Sequence, residues 1–121
     1  MLRRKHPHPV ESIDTLRAKE LKRFVEVFTA DGERLGVTLR FIHRPIEDVN
    51  IEQKLYRSFL VVQSLEHGGP LYVPTVFVES YDPAAGRVTL TADLDMVMGE
   101  SWNREPDFVA RGQGVAEELP G

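Results

Sequence analysis

The stretch Phe24-Val25-Glu26-Val27-Phe28-Thr29-Ala30-Asp31-Gly32-Glu33-Arg34-Leu35-Gly36-Val37-Thr38-Leu39-Arg40-Phe41-Ile42 decides the fold. Its first five residues are aromatic and β-branched around a single charge, a composition that suits a pleated, half-buried surface. Ala30-Asp31-Gly32-Glu33 supplies turn chemistry, with Gly32 free to take a positive φ. The return arm alternates Val37, Leu39 and Phe41 with Thr38 and Arg40 until Pro45 stops it, which implies one buried face and one wet face. A β-hairpin is therefore expected across residues 24–42.

Toward the C-terminus the same reasoning gives four more strands. The continuous run Phe59-Leu60-Val61-Val62, inside Ser58 to Gln63, predicts a central strand covered on both faces, closed by the turn His67-Gly68-Gly69-Pro70. Leu71-Tyr72-Val73 is short and ends at Pro74; Val76 to Tyr81 and Arg87 to Thr91 flank the turn Asp82-Pro83-Ala84-Ala85-Gly86. Short strands at this spacing point to a small barrel. Between the hairpin and the central strand, Ile46, Val49, Ile51 and Leu55 follow neither a helical nor a strand period, so Arg44 to Tyr56 reads as a long connection with at most a helical turn.

The flanks read as short helices and tails. Ser12 or Asp14 can cap one or two turns reaching Lys22, with Ile13, Leu16 and Leu21 on one face. Asp93 can cap a second helix in which Leu94, Val97 and Met98 share a face and Gly99 occupies the left-handed C-terminal position. Residues 1–11 are basic, broken by His6-Pro7-His8-Pro9 and without apolar period, and predict a flexible basic tail. The folded domain is expected over 12–110, and the Gly/Glu-rich residues 111–121 are expected to form a second flexible tail.

Composition bounds the function. The length suits one core, and 41% apolar with 28% charged residues is ordinary for a globular chain. The longest apolar run is of strand length, so no membrane insertion is expected. Met1-Leu2-Arg3-Arg4-Lys5 resembles the start of a signal peptide, but a Pro-broken segment follows where an apolar stretch belongs; a cytoplasmic location is expected. Without cysteine there is no disulfide, thiolate nucleophile or Cys-ligated metal. The net charge of −4 divides into a basic arm and an acidic body, so nucleic acid has only the arm to contact.

The chain resembles the PRC-barrel superfamily, named from the photosynthetic reaction-centre H subunit and found also as the C-terminal domain of a ribosome maturation factor. Leu16-Arg17-Ala18-Lys19-Glu20-Leu21, Val27-Phe28, Asp31 to Gly36, Leu60-Val61-Val62, Leu71 to Pro74, Val78-Glu79 and Gly86 to Leu90 carry the resemblance, which spans about residues 15–102 and is most similar to stand-alone bacterial members. It implies a mostly β, small, partly open β-barrel with short flanking helices. A tendency to bind proteins or assemble is implied too, and no catalytic residue is carried over. One departure is that Pro45 to Arg57 lacks the glycine a turn there would use.

Candidate chemistry is sparse. His6 and His8 lie on the tail; His43 and His67 bracket the irregular connection and can meet across a barrel end, yet no third ligand accompanies either pair, so no metal is assigned. Glu47 with Asp48, and Asp93 with Asp95, read as loop and helix-capping carboxylates. No nucleophile elbow, zinc-protease motif, phosphate loop or dinucleotide fingerprint is present, so no catalytic or cofactor-binding residue is assigned and no enzyme is expected. The candidate interaction residues are Trp102, Arg104, Ile46, Val49 and Tyr56. The sole Trp102 is expected to plug one barrel end, with Phe108 closing over it; docking is the alternative.

The resulting expectation is a non-enzymatic protein-binding or assembly module that can also self-associate, acting through exposed strand edges or the 45–56 connection. An RNA- or ribosome-associated accessory module using Arg3, Arg4 and Lys5 is the alternative, and an enzyme of unknown class stands third. Because residues 1–10 add nothing to any apolar face, deleting Met1 to Val10 is expected to leave the thermal midpoint nearly unchanged, checked by a calorimetric melt of both chains.

Overall fold

The computed structural model describes residues 11–121, and the basic arm of the sequence reading lies outside them. The hairpin forms from β1 (Glu26–Phe28) and β2 (Arg34–His43), turning where Gly32 takes φ +89°. Then follow β3 (Ser58–Ser64), β4 (Gly69–Pro74), β5 (Val78–Asp82) and β6 (Arg87–Leu90). All six expected strands are present. A seventh, β7 (Val115–Glu118), lies inside the segment read as a flexible tail.

The sheet runs β4-β3-β2-β1-β6-β5, antiparallel throughout except for the parallel β1–β6 pair, and β7 adds to β2. The protein is mostly β, and the sheet is not closed into a barrel. Val27, Leu35, Phe41, Leu60, Val62, Val73, Val78, Val88 and Leu90 are fully buried, and Leu16 and Leu21 join them from α1 (Ile13–Ala18) and its C-terminal side. Burying each such side chain is worth about 1.5–3 kcal/mol, so the core rests on the strand alternation that the sequence displays. Phe59 and Val61, on the opposite face of β3, are buried as well, which makes β3 the doubly covered strand.

Ser12 caps α1 by accepting from the Thr15 amide, as Asp93 caps α2 (Leu94–Gly99) by accepting from Met96. Several local expectations are corrected. Phe24 is not in the strand: it sits at φ 65°, exposed, while the Thr38 hydroxyl donates to the Lys22 carbonyl and accepts from the Val25 amide. Those bonds turn the chain onto β2 before β1 begins. Val76 and Phe77 belong to a 3-10 turn that precedes β5. Met98 is 48% exposed, leaving Val97 as the buried anchor of α2, and Gly99 stays helical while Ser101 takes the left-handed conformation.

Glu11, the last residue of the expected N-terminal tail, and part of the expected C-terminal tail join the fold. The Glu11 carboxylate accepts from the Tyr81 amide and pairs with Lys19. At the other end, β7 runs along residues 40–43 of β2, Leu119 is buried, and the Arg23 amide donates to the Pro120 carbonyl at 2.8 Å. Composition reads this segment as solvent-loving, and its side chains are largely exposed; main-chain bonds to β2 and the single leucine hold it.

Gly36 is required by proximity. A Cβ there would overlap the Gln63 carbonyl of β3, a backbone group that cannot rotate away. Gly36→Ala is expected to cost about 3 kcal/mol or more, at the upper end of overpacking penalties, checked by urea denaturation.

Candidate functional site

The connection between β2 and β3 folds as two 3-10 turns, Ile46–Asp48 and Ile51–Gln53. Asn50 accepts from the Gln53 amide and exchanges two backbone bonds with Leu55. Lys54, at φ 61°, takes the left-handed position for which the sequence offered no glycine. The loop thus folds back on itself and delivers Tyr56 to the protein interior.

Facing it is the segment after α2. The Trp102 carbonyl accepts from the Tyr72 amide of β4 at 2.7 Å, and Pro106 then starts α3 (Asp107–Ala110), which buries Phe108. Trp102 itself is only 6% exposed and packs on Phe77, ring centroids 5.0 Å apart. The ring over it is therefore Phe77. Phe108 instead packs on Phe59 at 6.0 Å, and Tyr56 bridges Phe59 and Phe77 edge-on at 6.4 and 6.1 Å. These aromatic contacts form one continuous chain within the hydrophobic core.

A cleft of about 510 Å³ opens over this aromatic chain, between the connection and residues 100–107. Arg44, Tyr56, Tyr72, Trp102 and Arg104 line it, and Glu105 and Asp107 add acidic groups. Of the residues singled out from sequence, Tyr56, Trp102 and Arg104 converge here. Ile46 and Val49 do not line it, and Ile46 is 72% exposed at the turn of the connection.

Arg44 is the residue that sequence reasoning missed. It is 5% exposed, its guanidinium carbon lies 4.7 Å from the Phe108 ring centroid and 5.8 Å from that of Phe59, and its Nε donates to the Tyr56 carbonyl at 2.8 Å. No carboxylate lies within ion-pair distance of it among the described residues, and burial pushes its pKa down against the opposing pull of Asp48 and Asp107. It remains charged, as arginine does in proteins. Its two terminal nitrogens have no protein partner among the described residues, and neither is sealed from solvent. Tyr56 and Tyr72 are pushed up by burial and stay protonated at neutral pH; neither phenol has a protein hydrogen-bond partner there. The floor is thus rich in donors. The sequence signal was an Arg immediately before the strand-stopping Pro45, too common a pattern to single out.

At two of the strand edges, the other expected docking surfaces, main-chain donors are blocked or bonded. Along β4 the outward positions are Pro70, Tyr72 and Pro74: two residues without an N–H and one whose N–H is bound to Trp102. At the edge of β5, the Tyr81 amide is bound by Glu11 and its carbonyl by Lys19.

A second polar cluster joins three strands and a helix. Ser58 Oγ lies 2.7 Å from His43 Nδ1, His43 Nε2 lies 2.7 Å from Glu117 Oε1, and Arg17 donates to both Glu117 oxygens at 3.0 and 2.6 Å. The membership resembles a Ser-His-acid relay, but Ser58 is buried at the start of β3 and does not line the cleft. The cluster is a clamp that fixes β7 to β2, β3 and α1. Both ring nitrogens of His43 are engaged, and His67 sits at the other end of β3, bonded to Ser64, so the two histidines do not meet.

No family model matches the chain, and no curated protein or solved structure is detectably similar to it.

The clamp has a pH signature. The Arg17 guanidinium holds the Glu117 carboxyl down at about 2 against the upward push of burial, and the His43 ring adds to the lowering. A depressed carboxylate stabilises the fold above its ordinary value of 4.5 and loses that contribution as pH falls toward 2. Glu117→Gln is expected to be less stable than the parent at neutral pH, with the gap narrowing through that acid window. Denaturation midpoints of both chains across the window check this.

Proposed function

We propose that this chain is a non-enzymatic, cytoplasmic protein-binding module of PRC-barrel-like type, and that its partner docks in the cleft between the 45–56 connection and residues 100–107. The observation carrying this reading is the contrast between surfaces. At the β4 and β5 edges the main-chain donors of Pro70, Tyr72, Pro74 and Tyr81 are missing or bonded, whereas the cleft brings unpartnered donors of Arg44, Tyr56 and Tyr72 together with aromatic rings. The cleft sets aromatic side chains among convergent polar and charged groups, and polar groups placed to fix a partner's orientation are what recognition sites use for specificity. The volume falls within the range of about 300–1,000 Å³ typical of ligand clefts. The close approach of β3 at Gly36 and the Asp31-Gly32 hairpin turn support the PRC-barrel likeness. Among the described residues no helix is long and apolar enough to cross a membrane.

A photo-crosslinking amino acid placed at Arg104, on the cleft rim, is expected to trap a specific protein in native extract several-fold more than one placed at Ala85 in the β5–β6 turn. Adding Lys54→Glu is expected to weaken the trapping at the rim, and nuclease is expected to leave it unchanged. Equal trapping at both positions overturns the cleft as the docking surface. Loss on nuclease treatment favours the RNA-associated reading, and trapping of the chain's own copy identifies self-assembly.

A further inference from the structure

We propose that Arg44 is a carboxylate anchor at the back of the cleft, and that the group it receives is the C-terminal carboxylate of a partner polypeptide. This deepens the binding-module reading and rests on it. Arg44 is nine-tenths buried, yet it is held by only one side-chain bond, from Nε to the Tyr56 carbonyl. Stacking against Phe108 and Phe59 fixes the guanidinium plane. What remains is its outer edge, the two terminal nitrogens, which reach solvent with no protein acceptor among the described residues. A guanidinium edge offers two parallel donors whose natural complement is the pair of oxygens of a carboxylate. A buried charge without a counter-ion is costly, so an anion that supplies one gains more here than at an exposed arginine.

The charge around the cleft selects among anions. The lining balances Arg44, Lys54 and Arg104 against Glu100, Glu105 and Asp107, with Lys54 paired to Glu100 at 3.0 Å, so the site suits a monoanion better than a dianionic phosphate. The setting of Arg44 selects among carboxylates. Arg44 shares the cleft with Tyr56, Tyr72 and Trp102, which suits a carboxylate joined directly to both a side chain and a backbone carbonyl. A terminal carboxylate also brings its own residue's side chain onto the aromatic rings, while the Tyr56 and Tyr72 phenols stand ready to donate to its last backbone carbonyl.

The test uses the full chain and acetyl-Gly-Phe as the probe, compared with its C-terminal amide, with acetyl-Glu-Phe-amide and with phenyl phosphate, by nitrogen-15 chemical-shift titration. The free acid is expected to shift the Arg44 Nε, the Trp102 indole and the backbone amides of residues 54–57. The amide is expected to bind at least about tenfold more weakly, the loss typical of a charge-assisted bond. Affinity for the acid should fall as pH drops through the probe's own carboxyl pKa. Arg44→Gln should abolish the preference for acid over amide, whereas Arg87→Gln on β6, outside the cleft, should keep it. If Arg44→Gln fails to fold, the acid-to-amide ratio and its pH dependence in the parent chain still decide the matter. Equal binding of acid and amide in the cleft overturns the carboxylate anchor while leaving the cleft as a docking surface. Tighter binding of acetyl-Glu-Phe-amide or phenyl phosphate overturns the terminal-carboxylate assignment. No shift of cleft resonances with any probe overturns the anchor, and the crosslinking at Arg104 then judges the broader reading separately.

Discussion

A ten-residue strand inside a sheet must find main-chain partners on both sides, and β2 cannot obtain them from its sequence neighbours alone. On one side β3 pairs with it from Val37 to His43. On the other, β1 covers only Arg34 to Val37, because the chain turns away at Phe24 and is tied to Thr38. The remaining positions, Arg40 to His43, are paired by β7. Unpaired backbone groups on a buried strand are costly enough to recruit the chain's last residues into the sheet. The joint between β1 and β7 is sealed where the Arg23 amide meets the Pro120 carbonyl.

The other features follow from that pairing. Once β7 lies on β2, Glu117 stands beside His43 and Arg17, and the clamp forms across elements far apart in sequence. The chain must also cross from α2 back to β7, and in doing so it lays Trp102 along β4 and Phe108 over Phe59. Arg44 then lies against both phenylalanine rings, and its charge is desolvated without being neutralised. The cleft is what remains between this crossing segment and the folded-back connection. A sheet-completing strand thus has a consequence at the surface opposite its own clamp residues.

Protection of the sheet ends sharpens the functional reading. Pro70 and Pro74 of β4 remove donors without disturbing the β3 ladder, since they fall on the outward-facing side of the strand. Lys19 and Glu11 cover the corresponding groups at Tyr81. Recognition by strand addition is disfavoured at both ends, and side-chain chemistry in the cleft is the surface with unspoken-for donors.

Local sequence alone determined the six strands, the Asp31-Gly32 turn and the two capped helices, because alternation, turn residues and capping side chains act over a few positions of the chain. It marked Tyr56, Trp102 and Arg104 as interaction residues, since aromatic and arginine side chains near irregular segments are informative without knowing what they face. Only the tertiary structure decided the rest. β7 is polar on nearly all its side chains, so its pairing depends on main-chain groups that every residue carries equally and no composition reveals. Arg44 is ordinary in sequence; its isolation from carboxylates arises because Phe59 and Phe108, 49 residues apart by their numbers, are brought together around it. A residue's type sets the chemistry it can perform, but burial and the partners withheld from it are properties of the packed chain.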